Sequence, residues 1–165
     1  MIQFAYMKKF LSLLPHAISL FGAVIFLDSL RYKFTNAPET QVIFGKLDAW
    51  AATWGASGLF SHAGLFSQYV IGSAELLASL FLLVGILPKF RRFQVVGALI
   101  AFGVMTGAVF FHLFTPLGID PNNDGGGLFV AAVVLWLGSL ALLVIRKADL
   151  KELVKLKFAY FFPKR

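Results

Sequence analysis

Two ionisable residues, Glu75 and His112, interrupt long apolar runs of the chain. An ionised side chain in the middle of a membrane costs about 2.5–3.5 kcal/mol on insertion scales, so each such group requires a partner. A carboxylate beside an imidazole at low dielectric can exchange a proton near neutral pH, as quinone sites and proton-coupled sites require. Glu75 and His112 are therefore the candidate catalytic residues.

Three further charged residues, Asp28, Arg31 and Lys33, follow the first apolar run. Asp28 and Arg31 share a helix face and are spaced to form a local ion pair. Arg31 and Lys33 together would attract an anion, which makes the three residues candidates for substrate binding. The alternative is that their long side chains only reach the membrane surface and have no further role.

The composition requires that these residues be placed in a membrane. Apolar residues make up 59% of the 165 residues and charged residues 14%, whereas globular proteins have about 45–50% and about 25%. Residues 49–74, 93–119 and 125–145 contain no Asp, Glu, Lys or Arg. Runs of this length exclude a disordered chain, a soluble enzyme and a nucleic-acid module. The absence of cysteine excludes thiolate nucleophiles and cysteine-ligated iron–sulfur clusters.

The predicted fold is an all-α membrane protein with a four-transmembrane-helix bundle. A helix of about 20 residues crosses the bilayer, and the spans are predicted near residues 10–30, 69–87, 95–114 and 128–145 within a transmembrane domain of residues 1–146. The aromatic and glycine-rich residues 35–65 are expected to lie in the outer interface or to cap the bundle. Residues 147–165 predict a basic amphipathic helix on the cytoplasmic leaflet.

Basic residues predict the orientation, because they accumulate on the cytoplasmic side. If both termini are cytoplasmic, only three of the 15 basic residues lie outside, namely Arg31, Lys33 and Lys46. The same asymmetry accounts for the net charge of +7 without a nucleic-acid partner. The lipid bilayer is the expected partner.

Depth along the helices suggests that the candidate residues meet. With a rise of 1.5 Å per residue, Asp28 lies about 27 Å and His112 about 26 Å from the inner ends of their spans, and Glu75 lies about 9 Å from an outer end. All three are therefore predicted near the outer leaflet. Glu75 shares a helix face with Gly72 and Ser79, small residues typical of close helix contacts, and should point into the bundle. The alternative is that the cluster serves only to hold the helices in register.

A calcium-like turn in the sequence DPNNDGGG does not predict a metal site. Asp120, Asn122 and Asp124 match the first positions of a calcium loop, but its twelfth position, which requires a glutamate, is Ala131. The three histidines lack metal-ligand spacing with other donors. The segment is predicted to be a tight turn, and no metal is expected.

Three segments of the chain resemble motifs of the DoxX family of small four-helix bacterial membrane proteins. They are GAVIFLDSLRYKF, IGSAELLASLFLLVGILPKFRR and MTGAVFFH, which place the family's outer-end lysine at Lys33, its in-membrane glutamate at Glu75, its glycine and basic turn at Gly85 and Arg91 or Arg92, and its histidine at His112. The resemblance covers roughly residues 18–145. The long loop with paired tryptophans and the Asp28–Arg31 segment depart from the family pattern.

The resemblance implies a bacterial inner-membrane location and a small component of a quinone- or redox-linked system. The family takes its name from a subunit of a thiosulfate:quinone oxidoreductase, and other members resemble partners in membrane oxidoreductase or thiol-stress complexes. The cofactor stays open: a quinone is compatible with such a system, but no motif in the sequence encodes a cofactor site. Protein partners in a membrane redox complex and further copies of the chain are both compatible with the resemblance. The alternative function is a noncatalytic scaffold or assembly partner, because family membership determines a fold more firmly than a reaction.

Overall fold

The computed structural model describes the backbone of residues 2–161 and the side chains of residues 12–155. The regular elements of the described residues are all helices, with no strand, which confirms the all-α prediction. Six α-helices follow one another with a short 3₁₀ turn between the third and the fourth: α1 Ile2–Phe34, α2 Pro38–Ala52, α3 Gln68–Val84, α4 Arg92–Phe114, α5 Gly127–Ile145 and α6 Lys147–Phe161.

Four of the helices pack side by side around one core. α1 contacts α3 and α5, α3 contacts α4, and α4 contacts α5, so the four form a closed ring of neighbours. The core between them contains Phe26, Ala78, Ala101, Met105 and Leu135. We call the end of the ring that carries α2 the α2 end, and the opposite end, which carries α6, the α6 end.

Three helices are long and apolar enough to cross a membrane. They are Ser12–Phe34 within α1, together with α4 and α5, while α3 is apolar but has only 17 residues. At 1.5 Å per residue α3 is about 25 Å long, somewhat less than a bilayer core of about 30 Å. Three of the four predicted spans are therefore candidate membrane-spanning helices by length and composition, and a crossing by α3 remains a prediction.

Residues 35–65 contain a helix, α2, that was not predicted. It begins at Pro38, whose fixed φ suits the first turn of a helix. Leu47 and Ala51 of α2 are buried with Phe60 and with Leu117, which follows α4. The segment therefore caps the α2 end of the ring, one of the two placements that the sequence indicates.

The predicted tail helix is present as α6, and residues 162–165 lie outside the described residues. Its acidic residues connect it to the beginning of α4. Arg91 Nη2 lies 2.9 Å from Asp149 Oδ1, and Arg92 Nη2 lies 2.6 Å from Glu152 Oε2. Because Asp149 is buried, α6 docks on the other helices instead of lying on a lipid surface by its basic residues alone.

Candidate functional site

Glu75 forms a buried ion pair with Lys33 between α3 and α1. Lys33 Nζ lies 2.9 Å from Glu75 Oε2 and donates to Oε1 at 3.1 Å. The side chains are only 15% and 4% exposed, respectively, so the two charges neutralise each other away from solvent. Ser29 Oγ donates to Glu75 Oε2 at 3.2 Å and accepts a hydrogen bond from Lys33 Nζ. We call these three residues the Lys33–Glu75 site.

Residue spacing on both helices positions this site. Ser29 and Lys33 are four residues apart in the last turns of α1 and therefore share a face. On α3, Gly72 lies next to the Lys33 side chain, and a Cβ built there would be 3.5 Å from Lys33 Cδ. Gly72, Glu75 and Ser79 are all buried, as their shared helix face predicts. The small residue at position 72 lets α1 approach α3 closely enough for the ion pair to form.

A layer of amides closes the site toward the α2 end. Gln68 Nε2 donates to the Lys33 carbonyl oxygen at 2.7 Å and to Asn36 Oδ1 at 3.1 Å, and Gln41 Nε2 donates to Gln68 Oε1 at 2.7 Å. Neither the three amide residues of this layer nor Ser29 was predicted from the sequence to belong to the site. A signal for Gln68 was available, because Gln68, Gly72 and Glu75 follow the i, i+4, i+7 spacing of one helix face.

His112 does not hydrogen-bond to Glu75 in the structure, and a catalytic role for the two residues stays a prediction. His112 is buried, but its Nδ1 lies 2.6 Å from the carbonyl oxygen of Gly118, and its ring contacts the ring of Phe129 on α5. Among the side chains that the structure describes, none of the hydrogen bonds of Glu75 involves His112. The acid is partnered on the α1 side of the ring and the imidazole on the α5 side.

The predicted substrate-binding residues are also separated. Arg31 Nε lies 3.2 Å from Asp28 Oδ1, which is the local pairing that their spacing predicts, and Arg31 Nη2 donates to the Tyr32 hydroxyl at 2.9 Å. The Arg31 and Asp28 side chains are 66% and 59% exposed, so this pair lies on the outside of the helices. Only Lys33 of the three joins Glu75.

The Lys33–Glu75 site offers hydrogen-bond chemistry to a polar group. An ammonium and a carboxylate in contact present donors and acceptors at low dielectric, where each hydrogen bond is stronger than in water. No cluster of three or more His, Asp or Glu residues suited to a metal ion occurs among the described residues. No family model, curated protein or solved structure matches the chain.

Proposed function

We propose that the chain is a DoxX-like integral membrane protein, a small component of a quinone- or redox-linked system in a bacterial inner membrane. One observation carries the proposal: an acid and a base are buried in direct contact between two apolar helices, Lys33 Nζ being 2.9 Å from Glu75 Oε2. Removing two charges from water is costly, and a buried ion pair is often no more stabilising than apolar residues of similar volume. Such a pair inside a membrane therefore favours a functional role.

The resemblance supports the same residues. The lysine of the first motif and the glutamate of the second, which the resemblance to the DoxX family singles out separately, are the two partners of this ion pair. In the proposal, Lys33 donates a hydrogen bond to a carbonyl oxygen of a quinone headgroup, and Glu75 keeps the ammonium in place. Electrons come from a partner protein, because the chain has no cysteine to hold a cluster or form a redox disulfide.

The proposed orientation has both termini in the cytoplasm and the Lys33–Glu75 site toward the outer face. Twelve of the 15 basic residues then lie inside. Protein partners of the redox system, or further copies of the chain, would contact the apolar residues exposed along the helices, although lipid alone also covers such surfaces.

A noncatalytic scaffold is the second candidate function, and one observation favours it. Every buried side-chain nitrogen and oxygen of the described residues has a hydrogen-bond partner. A network that is fully satisfied without a ligand can serve only to hold α1 and α3 in register. The two candidate functions differ in one expectation. In the redox component the charges of Lys33 and Glu75 are needed for activity even when the protein is folded, whereas in the scaffold they are needed only for folding.

A charge-free double variant distinguishes them. Lys33→Met or Glu75→Gln alone should destabilise the protein by about 3–5 kcal/mol, because the remaining charge stays buried without its partner. Lys33→Met combined with Glu75→Leu removes both charges and should restore folding. The matched control is Asp28→Asn with Arg31→Gln, which removes an ion pair of the same kind from the exposed surface.

The measurement is the amount of quinone that accompanies the protein through gentle purification, together with a decylubiquinone titration in proteoliposomes. The proposal expects the wild type and the surface control to bind quinone and the charge-free double variant to be folded but unable to bind it. A folded double variant with wild-type binding, or a wild type that binds no quinone, would contradict the proposal and leave the scaffold.

A further inference from the structure

A second polar cluster lies at the α6 end of the ring, opposite the Lys33–Glu75 site. A cavity of about 290 Å³ opens there between α1, the connection from α3 to α4, and the end of α5. Its polar lining comprises Ser12, His16, Arg91 and Arg146, and its apolar lining includes Pro15 and Ile145. We call it the α6-end pocket. The proposed orientation places this end of the ring at the cytoplasmic face, and the role of the pocket rests on that orientation but not on quinone binding.

One of the two arginines of the pocket, Arg146, is held in place by a hydrogen bond to the buried side-chain amide of Gln94. Arg146 Nε donates to Gln94 Oε1 at 2.9 Å. Gln94 is completely buried. Its Nε2 donates to Ser19 Oγ at 3.0 Å and lies 3.4 Å from His16 Nδ1. Among the side chains that the structure describes, Arg146 forms a hydrogen bond only through Nε, so its two terminal nitrogens can bind another group.

The second arginine adds positive charge that is only partly neutralised. Arg91 Nη2 binds Asp149 Oδ1 at 2.9 Å, and its side chain remains 54% exposed. The pKa of Arg146 is lowered, chiefly because the group is partly desolvated and also because the positive charge of Arg91 is near, while Asp149 opposes the shift. Two guanidinium groups against one carboxylate leave an excess of one positive charge, which an anion would neutralise.

We propose that the α6-end pocket binds a phosphate group, supplied by the headgroup of an anionic phospholipid. Guanidinium groups bind phosphate oxygens through paired N–H donors, and two of them at one pocket suit a singly charged phosphodiester. Basic pockets between transmembrane helices on the cytoplasmic side bind anionic lipid headgroups in this way. The apolar walls formed by Pro15 and Ile145 suit the glycerol and the first methylenes of an acyl chain. Free phosphate would bind the arginines but would make no apolar contact with Pro15 and Ile145.

The test compares two adjacent arginines. Arg91→Gln removes a lining residue of the pocket, and Arg92→Gln controls for the loss of one positive charge and one ion pair to α6, although its partner Glu152 is exposed whereas Asp149 is buried. Arg146→Gln is the second pocket variant. The full-length protein in neutral detergent is titrated with dihexanoyl phosphatidylglycerol, dihexanoyl phosphatidylcholine and inorganic phosphate, and the dissociation constants are measured.

Phosphatidylglycerol should bind the wild type and the Arg92→Gln control equally, and Arg91→Gln about tenfold more weakly, as expected for the loss of one charge-assisted hydrogen bond. Competition by inorganic phosphate at similar concentration would support the phosphate site but identify the free ion as its source. Equal weakening in the Arg91 and Arg92 variants would show attraction to surface charge only and overturn the inference. Equal binding of phosphatidylcholine, or no binding of any probe, would also overturn it. If Arg146→Gln does not fold, the comparison of the two adjacent arginines still decides the matter.

Discussion

Asp124 holds the beginning of α5 through main-chain hydrogen bonds. Its Oδ2 accepts from the N–H of Leu128 at 2.8 Å and its Oδ1 from the N–H of Gly126 at 3.0 Å. The pKa of the Asp124 carboxyl is lowered from 3.8, chiefly because the Leu128 N–H donates to its charged form. In the calcium-like segment the Asp124 carboxylate thus caps the beginning of α5, and the Asp120 carboxylate accepts from the N–H of Asp124 within the turn.

The lowered pKa gives a pH-dependent contribution of defined sign. Because the folded-state pKa lies below the ordinary value, the contribution is present above 3.8 and is lost as the pH falls through the lower folded-state value. Asp124→Ala should lower the free energy of unfolding by about 1 kcal/mol at neutral pH, as expected for the loss of a helix cap. Melting temperatures measured from neutral to acidic pH should converge for the two proteins. A constant difference down to the lowest pH would contradict the assignment.

His112 is expected to stabilise the turn after α4. Its Nδ1 donates to the Gly118 carbonyl oxygen at 2.6 Å, and Gly118 has a φ of +71°, which suits glycine. His112→Ala should lower the free energy of unfolding by about 1–3 kcal/mol, because the partly buried Gly118 carbonyl loses its donor and the buried imidazole is removed. Thermal unfolding checks this value, and quinone titration serves as the control. A stable variant that loses quinone binding would return His112 to the catalytic role that its position in the sequence suggests.

At the scale of elements, the long helices could be predicted and their relative rotation could not. Apolar runs define α4 and α5 to within a few residues, and the first run lies inside the longer α1, because length and composition alone decide whether a helix can cross a membrane. The rise per residue of an α-helix also predicts that Glu75 and His112 lie at a similar depth in the membrane. Height is only one coordinate, however. Whether a side chain turns toward α1 or α5 depends on helix packing, which no spacing within one helix reveals.

The interfacial segment shows a second limit of sequence patterns. α2 has 15 residues, with Gly45 in its interior and only a few buried apolar residues. Those residues pack on Phe111 and Leu117, which are distant in the sequence. Because tertiary packing stabilises a helix of this length, local periodicity gave no clear signal for it.

Close packing of α3 on α4 gives the prediction at this scale. A Cβ at Gly97 would lie 2.8 Å from the Leu82 nitrogen and 3.0 Å from the Ala78 oxygen of the α3 backbone, whereas a Cβ at Gly103 would meet nothing within 4 Å. Gly97→Ala should therefore cost about 1–3 kcal/mol of stability by overpacking. Gly103→Ala, on the same helix, should be neutral or stabilising by up to about 1 kcal/mol. Equal melting temperatures of the two variants would contradict this contact.

At the scale of the whole molecule, α3 decides how many times the chain crosses the membrane. α3 is shorter than the other three helices of the ring, but its outward residues Leu76, Leu77, Leu80 and Leu83 are all exposed. Four exposed leucines on one helix are suited to lipid. A bilayer can thin locally to match a helix that is a few ångströms short, at a modest cost in free energy. These features favour a fourth crossing.

The absence of cysteine allows a direct test of this crossing, because a single introduced cysteine is the only thiol in the chain. Ser57 precedes α3 and Lys89 follows it, and both are exposed. If α3 crosses, a membrane-impermeant maleimide added to intact cells should label Ser57→Cys but not Lys89→Cys until the membrane is permeabilised. Ile119→Cys, in the turn between α4 and α5, should behave like Ser57→Cys, and Lys151→Cys on α6 like Lys89→Cys.

Labelling of positions 57 and 89 from the same side would leave three crossings and place the two termini on opposite sides, because an odd number of spans separates them. The basic residues of α6 would then no longer share a compartment with Lys8 and Lys9, and the orientation deduced from charge would fail with the fourth span.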